Sequence, residues 1–333
     1  MDISAITSHK KSIDEKLIYF LAKKQEESIN ELQRDLIDRL VPFVTSGKSI
    51  RGALAVFGYS LFQKQDTQKI LDLAIALELL HSGLLIHDDI MDRDELRRGK
   101  LSIYAQYEEY EKQNIATDSM HFGISMGINA ADFCFFSGYE LLGRLGGDIT
   151  EYVSAELSHV TAAQMQDVAA SQTAQRLSEE DILSVYRYKT ARYTFSLPLV
   201  AGAKLAGAPQ EQLAILDSLG EDMGIMFQIR DDELNLLGDP QKTGKSTGSD
   251  VREHKQTLLS LYLTNATQGV SLESLSSEEI AQLYIDSGTQ KHITDKISSL
   301  AALVNAKLQT LDISNEYTNT LMALADFVQT REN

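Results

Sequence analysis

Five carboxylates fall within the eight positions from Asp88 to Glu95, and Arg97, Arg98 and Lys100 follow at once. Asp88, Asp89 and Asp92 form a D-D-x-x-D pattern directly after the apolar run GLLI. On a helix, residues i and i+4 share a face, so Asp88 and Asp92 point the same way about one turn apart. The C-terminus of a helix is already the negative end of its dipole, so two anions there repel unless a cation lies among them. Closely spaced carboxylate oxygens suit Mg²⁺, which takes one or two carboxylates, its own waters and phosphate oxygens. Taken alone, this cluster reads equally well as a solvated acidic turn.

A second cluster changes that balance. At 228–235 the chain reads QIRDDELN, again after an apolar helical run, with Asp231 and Asp232 adjacent and Asn235 at the next turn. Helical bundles build multi-metal sites from carboxylates on facing helices, so the two clusters together could hold two or more Mg²⁺ ions. Basic residues are placed to match. Arg97 and Arg98 follow the first cluster, Lys245 lies in the loop GKSTGSD after the second, and Lys48 and Arg51 lie in SGKSIRG. Arginine binds phosphate through a two-pronged fork and lysine as a point charge, so divalent ions flanked by this set imply a polyphosphate ligand. The stretch GDPQKTGKS imitates a nucleotide-binding P-loop. However, five residues separate Gly238 from Gly244–Lys245 where that loop has four, and it follows a helix pattern instead of a strand.

The elements that must carry these residues are helices. Apolar residues recur at three- and four-residue spacing through 66–90 and 211–237, and similar helices are predicted near 12–40, 50–63, 119–145, 149–170, 179–206, 290–310 and 314–330. Four prolines and no regular turn clusters argue against sheet, and the polar stretch near 264–279 is the weakest connection. No repeat or long linker divides the chain, so residues 1–333 are expected to form a single all-α domain, a large helical bundle.

The bulk numbers exclude other classes. A formal charge of −17, from 48 acidic and 31 basic residues, speaks against nucleic acid as the partner. The single cysteine, Cys134 in FCFF, reads as a small buried hydrophobe. The start MDISAITSHKKSIDEK lacks a signal-peptide core, and the apolar runs fall short of the roughly 18 residues a span requires, so a cytoplasmic location with no transmembrane segment is expected.

DDIMD followed by RRG, the later FQIRDD, the GKSTGSD loop, the upstream GK-x-x-R and the Lys189–Thr190 pair resemble the trans-type isoprenyl diphosphate synthases, the polyprenyl synthetase family, in the order that family has them. The resemblance implies an all-α bundle around a central active-site cavity (the isoprenoid synthase type I fold), usually a homodimer, using about three Mg²⁺. It implies that Asp88 and Asp92, with Asp89 in support, bind metal on one side, and that Asp231 with Asp232 nearby completes the cluster. Arg97, Lys189 and Lys245 would hold the diphosphate of an allylic substrate. Lys48, Arg51, His81 and Arg98 would hold that of isopentenyl diphosphate. Thr190 and Gln228 would stabilise the allylic cation by their oxygens, and Gln164 and Asp167 occupy the family's G-Q-x-x-D position. Departures from the pattern are Asn235 where many members keep a third aspartate, and Ala163 where they keep a glycine.

Short-chain members usually place an aromatic four or five residues before the first aspartate, where this chain has Leu84 and Gly83. A glycine blocks nothing, which favours geranylgeranyl diphosphate or a longer polyprenyl product over farnesyl diphosphate. The alternative is that Gly83 allows close helix packing and that Phe133, Phe135 or Phe136 forms the floor. Lys48, Arg51 and Arg98 discriminate against a class I terpene cyclase, which needs no isopentenyl site. Retention of both Asp clusters argues against a non-catalytic subunit of a heteromeric synthase.

Overall fold

The structure is a computed structural model and describes residues 3–64, 68–114, 118–173, 176–237, 255–267 and 272–331. The described residues are all-α apart from one two-stranded hairpin. They cluster into two compact units, one of Ser4–Glu151 with Ala201–Gly207, the other of Met1–Ile3, Tyr152–Val200 and Ala208–Asn333.

In the first unit, α1 (Ser4–Thr7), α2 (Lys10–Glu26), α3 (Glu31–Thr45) and α4 (Ile50–Ser60) precede the long α5 (Gln68–Asp92). The hairpin β1 (Leu96–Arg97) and β2 (Lys100–Leu101) leads to α6 (Ile103–Asn114) and α7 (Ser119–Gly143). The helix expected over 12–40 is divided, because the Asn30 side chain accepts the Gln33 N–H at 2.9 Å and starts a new helix there. The short polar helix α6 carries no clear apolar stripe and was not anticipated.

The organising element is α5, which packs against α4 and α7. It is apolar on every side, burying Ile70, Leu73, Ile75, Leu77, Leu79, Leu80 and Ile86, the composition of a helix with no solvent face. It is also long and apolar enough to cross a membrane, which the run lengths in the sequence did not suggest, and most of it is buried inside its unit. Cys134 on α7 is fully buried, and burial pushes its thiol up to about 12, the environment of a packed hydrophobe.

The second unit holds most of α8 (Gly147–Gln172), then α9 (Glu179–Val185), a π-helical segment (Tyr186–Ser196) and the start of α10 (Leu197–Leu205). After these come α11 (Gln210–Leu237), α12 (Leu258–Ala266), a 3₁₀ turn (Leu272–Ser274), α13 (Ser277–Asp286), α14 (Thr289–Leu308) and α15 (Asn315–Thr330). Here α11 is central, packed against the π segment, α14 and α15. Two glycines let it approach the π segment backbone to backbone. A Cβ at Gly220 would stand 2.7 Å from the Ser196 Cα, and one at Gly224 would stand 2.3 Å from the Ala191 Cα.

Candidate active site

The carboxylates of the first cluster lie at the C-terminal end of α5, as their spacing implied. Asp89 is buried, Asp88 half-buried and Asp92 exposed. The helix stops because Arg93 takes a left-handed conformation, φ 59°, and the Asp94 N–H returns to the Asp89 carbonyl at 2.8 Å. That is a Schellman cap with arginine in the place glycine usually takes. The chain then turns again through Arg98 and Gly99, both at positive φ, as a two-residue hairpin of the I′ kind requires.

These turns give two adjacent arginines different partners. The Arg97 Nε donates to Asp89 Oδ1 at 2.7 Å, and its Nη2 lies 3.6 Å from Asp88 and 3.7 Å from Asp94. Arg98 Nη1 donates instead to Ser46 Oγ at 2.9 Å. Burial raises the Asp89 carboxyl to about 6, against the pull of Arg97. Its Oδ2 is buried and has no hydrogen-bond partner among the described residues. No three His, Cys, Asp or Glu side chains among those residues converge as a closed cage. Half-buried Asp88 and exposed Asp92 beside an unsatisfied Asp89 oxygen fit a cation that takes one or two carboxylates and completes its shell with water and phosphate.

A cavity of about 430 Å³ in the same unit is lined by residues 46–51 and by Glu78, His81 and Arg98. It brings Lys48, Arg51, His81 and Arg98 together. Ser49 is held at φ 49°, a strained conformation for a residue with a Cβ. Its Oγ donates to Asp14 at 3.2 Å, and Lys10 joins Asp14 to the Thr45 carbonyl, which accepts at 3.1 Å. Buried Glu78 accepts the Gly52 N–H at 2.7 Å and fixes the start of α4. Burial raises its carboxyl above the ordinary value in spite of that bond and of Arg51 and Arg98. A Cβ at Gly47 would touch the Arg98 guanidinium at 3.0 Å, so the loop backbone and the arginine lie flat on each other.

Burial, then Arg51 and Arg98, holds His81 well below 6.5. It is therefore a neutral N–H donor at pH 7. The unfolded chain binds a proton at this histidine near 6.5 while the folded one refuses it. Stability tied to neutral His81 is thus lost as pH falls through 6.5 towards the folded value. In urea titrations, His81→Gln is expected to lose less stability than the parent between pH 7 and pH 5.5. Parallel losses would show that His81 is not the group responsible.

In the second unit, Lys189 and Thr190 project from the π segment. Lys189 pairs with Asp167 of α8 at 2.5 Å. Thr190 Oγ1 donates to Gln228 Oε1 at 2.7 Å, and Gln228 Nε2 donates to Asp232 Oδ1 at 2.7 Å. Tyr186 donates to the other Asp232 oxygen and accepts the Leu258 N–H at 3.0 Å. Asp232 is thus buried and hydrogen-bonded at both oxygens, while half-buried Asp231 lies 3.3 Å from Arg331 Nη2. Asn235 is half-buried on the same helix, and Lys245 lies outside the described residues.

Ser49, Glu78, Tyr186 and Arg331 were missed by the sequence reading. Only Ser49 had a local signal, its place inside GKSIRG. The expectation for Gly83 is also revised. A Cβ there would stand 2.7 Å from Phe135 Cε1 and 3.0 Å from the Ala131 carbonyl. The space is therefore filled by Phe135 of α7, which stands edge-on to His87 at 5.3 Å.

Comparison with known proteins fits this geometry. Residues 34–292 match the polyprenyl synthetase family. The chain is 32% identical to the short chain isoprenyl diphosphate synthase of Methanocaldococcus jannaschii, over 65% of this chain and 62% of that protein. It is 30% identical to the farnesyl diphosphate synthase of Bacillus subtilis, over 74% of this chain and 84% of that protein. The fold superposes on the geranylgeranyl pyrophosphate synthase of Corynebacterium glutamicum, solved with isoprenyl diphosphate and magnesium. The TM-score is 0.87 and the identity 30%, covering 99% of this chain and all of the other.

Proposed function

The chain belongs to the polyprenyl synthetase family and is a trans-prenyltransferase, and we propose that it condenses isopentenyl diphosphate with an allylic diphosphate to make geranylgeranyl diphosphate. One observation carries this reading. A single helix, α5, brings His81 to the basic cavity and, two turns on, presents Asp88 and Asp92 at its end. The reading treats residues 1–333 as one catalytic domain, working as a cytoplasmic homodimer.

In this reading Lys48, Arg51, neutral His81 and Arg98 bind the isopentenyl diphosphate. The two arginines act as forks, His81 as an N–H donor and exposed Lys48 as a point charge. Asp88 and Asp92, with Asp89, would hold Mg²⁺ in the first unit, and Asp231 would do so in the second, where Asp232 chiefly orients Gln228. Bound Mg²⁺ supplies the positive charge that lets a diphosphate leave. Arg97, Lys189 and Lys245 steady that leaving group. The allylic C–O bond breaks and the isopentenyl double bond forms the new C–C bond. The released diphosphate then takes the proton lost from the adduct. Thr190 has its O–H committed to Gln228, so its oxygen lone pairs remain to face positive charge.

Product length follows from Phe135. The glycine at 83 admits this ring to the side of α5, and we assign the floor of the product space to it. Product analysis with Mg²⁺, isopentenyl diphosphate and, in turn, dimethylallyl, geranyl and farnesyl diphosphates tests the reading. The parent is expected to stop at geranylgeranyl diphosphate and Phe135→Ala to run on to longer products. A farnesyl stop, or unchanged products in the variant, would sink the chain-length assignment. No condensation with any primer would sink the function.

A further inference from the structure

Tyr186 lies outside every motif quoted above, three residues before Lys189. It opens the π segment and is buried, 5% exposed. Its hydroxyl stands between a donor and an acceptor, taking the Leu258 N–H at 3.0 Å and donating to Asp232 Oδ2. Leu258 is the first residue of α12, so its N–H is one of the four that a helix cannot pair within itself.

These bonds have a direction. A backbone N–H can only donate, so it occupies the phenol oxygen and leaves the single O–H to point at the carboxylate. Asp232 accepts there at one oxygen and from Gln228 Nε2 at the other, at 2.7 Å. The Gln228 amide must then turn its nitrogen to Asp232 and its oxygen to Thr190, which donates to it at 2.7 Å. With the amide reversed, Gln228 would donate to Thr190 and occupy a lone pair of the hydroxyl. The neighbouring aspartate is set apart from this series. Asp231 is half-buried and lies 3.3 Å from Nη2 of Arg331, whose guanidinium rests 4.2 Å over the Phe227 ring.

We propose that Tyr186 is a positioning residue for the reaction. It holds Asp232 in the orientation that turns the Gln228 oxygen to Thr190, and so keeps the Thr190 lone pairs available to positive charge in the substrate. The identity of that charge as an allylic cation rests on the prenyltransferase reading. Without the hydroxyl, the Leu258 N–H and Asp232 Oδ2 are left unpaired in a buried place. They can then satisfy each other only by drawing the carboxylate away from Gln228.

Tyr186→Phe keeps the ring and removes the hydroxyl, and Tyr186→Met, a flexible apolar replacement, is measured in parallel. Calorimetric titration with a trimethylammonium salt of one isoprenoid chain, in the presence of Mg²⁺ and inorganic diphosphate, reads cation stabilisation without turnover. Both variants are expected to bind this cation about tenfold more weakly, with kcat lowered by a similar factor. Affinity for inorganic diphosphate and KM for isopentenyl diphosphate should stay parental, and thermal unfolding confirms that each variant is folded. Adding Tyr186→Phe to Thr190→Val should lower kcat no further than Thr190→Val alone, because residues acting through one another are not additive. Equal losses of cation and diphosphate binding would overturn the proposal, since Tyr186 would then only support the fold. So would additive losses in kcat. A parent that binds the cation through Tyr186 but condenses no substrate would overturn the proposed function and leave this inference standing. A parent that condenses substrate normally, with cation affinity and kcat indifferent to Tyr186, would do the reverse.

Discussion

Replacing Gly224 by alanine is expected to lower both stability and turnover. Two effects of opposite sign compete. Alanine in a helix interior is better than glycine by about 1 kcal/mol. Against that, the new Cβ would stand 2.3 Å from the Ala191 Cα and 2.6 Å from its Cβ. Because one of these atoms is backbone, no rotamer change relieves the clash, and either α11 or the π segment must move. Overpacking of this kind costs about 1–3 kcal/mol and sometimes more, so the clash wins. Ala191 directly follows Thr190, so the displacement would stretch the 2.7 Å bond from Thr190 to Gln228. A misplacement of about 1 Å at reacting groups can lower a rate by about a hundredfold. Thermal unfolding and steady-state kcat would read the two losses separately. Parental values in both would mean that the two backbones have more room than their separation indicates.

The second large effect is expected at Arg192. Its guanidinium grips Glu156 with two nitrogens, Nε at 3.0 Å and Nη2 at 2.7 Å. Its Nη1 reaches Asp217 at 2.9 Å and Glu221 at 3.3 Å. Arg187 shares Glu221 at 2.7 Å. Arg192→Met would leave three carboxylates crowded around an apolar side chain, with Glu156 buried among them. Breaking a buried ion pair on one side costs about 3–5 kcal/mol. The loss has a pH signature. Burial already raises the Asp217 carboxyl, and Arg192 is what holds it down. Without the arginine, the folded-state Asp217 carboxyl would titrate still further above the unfolded one. The folded variant would then bind the extra protons, so its deficit should shrink as pH is lowered. Urea unfolding at pH 8 and pH 5.5 would measure this. A deficit of equal size at both would assign the loss to packing, not charge. Arg192→Lys keeps the charge without the fork and should restore only part of the stability.

The parts of the site that could be read in the sequence are those written within one element. Asp88 and Asp92 lie four residues apart, and a helix of ordinary period must put them on one face. The expected helices near 50–63, 66–90, 119–145 and 149–170 correspond to Ile50–Ser60, Gln68–Asp92, Ser119–Gly143 and Gly147–Gln172. The apolar run of each is long enough to outweigh local exceptions. Pairings between elements leave no such trace. Nothing in the spacing of Tyr186 and Asp232, or of Phe227 and Arg331, announces that they meet. Glu78 was hidden for a different reason. It sits in an apolar stretch, where a single carboxylate reads as an interruption, and only its bond to the Gly52 N–H explains why it is buried. Propensity also misdirects at Ser49, Arg93 and Arg98. Positive φ is the habit of glycine and asparagine, and these three residues adopt it where the backbone must turn sharply. The short helices Ile103–Asn114, Leu258–Ala266 and Ser277–Asp286 were missed because a few turns seldom establish a period.

The π segment has a consequence for how this chain can change in length. Its backbone bonds skip one residue more per turn than those of an α-helix. Deleting one residue from 186–196 would favour ordinary α-helical bonding, but it would also rotate everything on one side by about 100° about the helix axis. Lys189 and Thr190 would then lose register with either Asp167 or Gln228. Substitution at its half-buried positions leaves that register intact, whereas a single-codon deletion would disconnect the two residues from their partners.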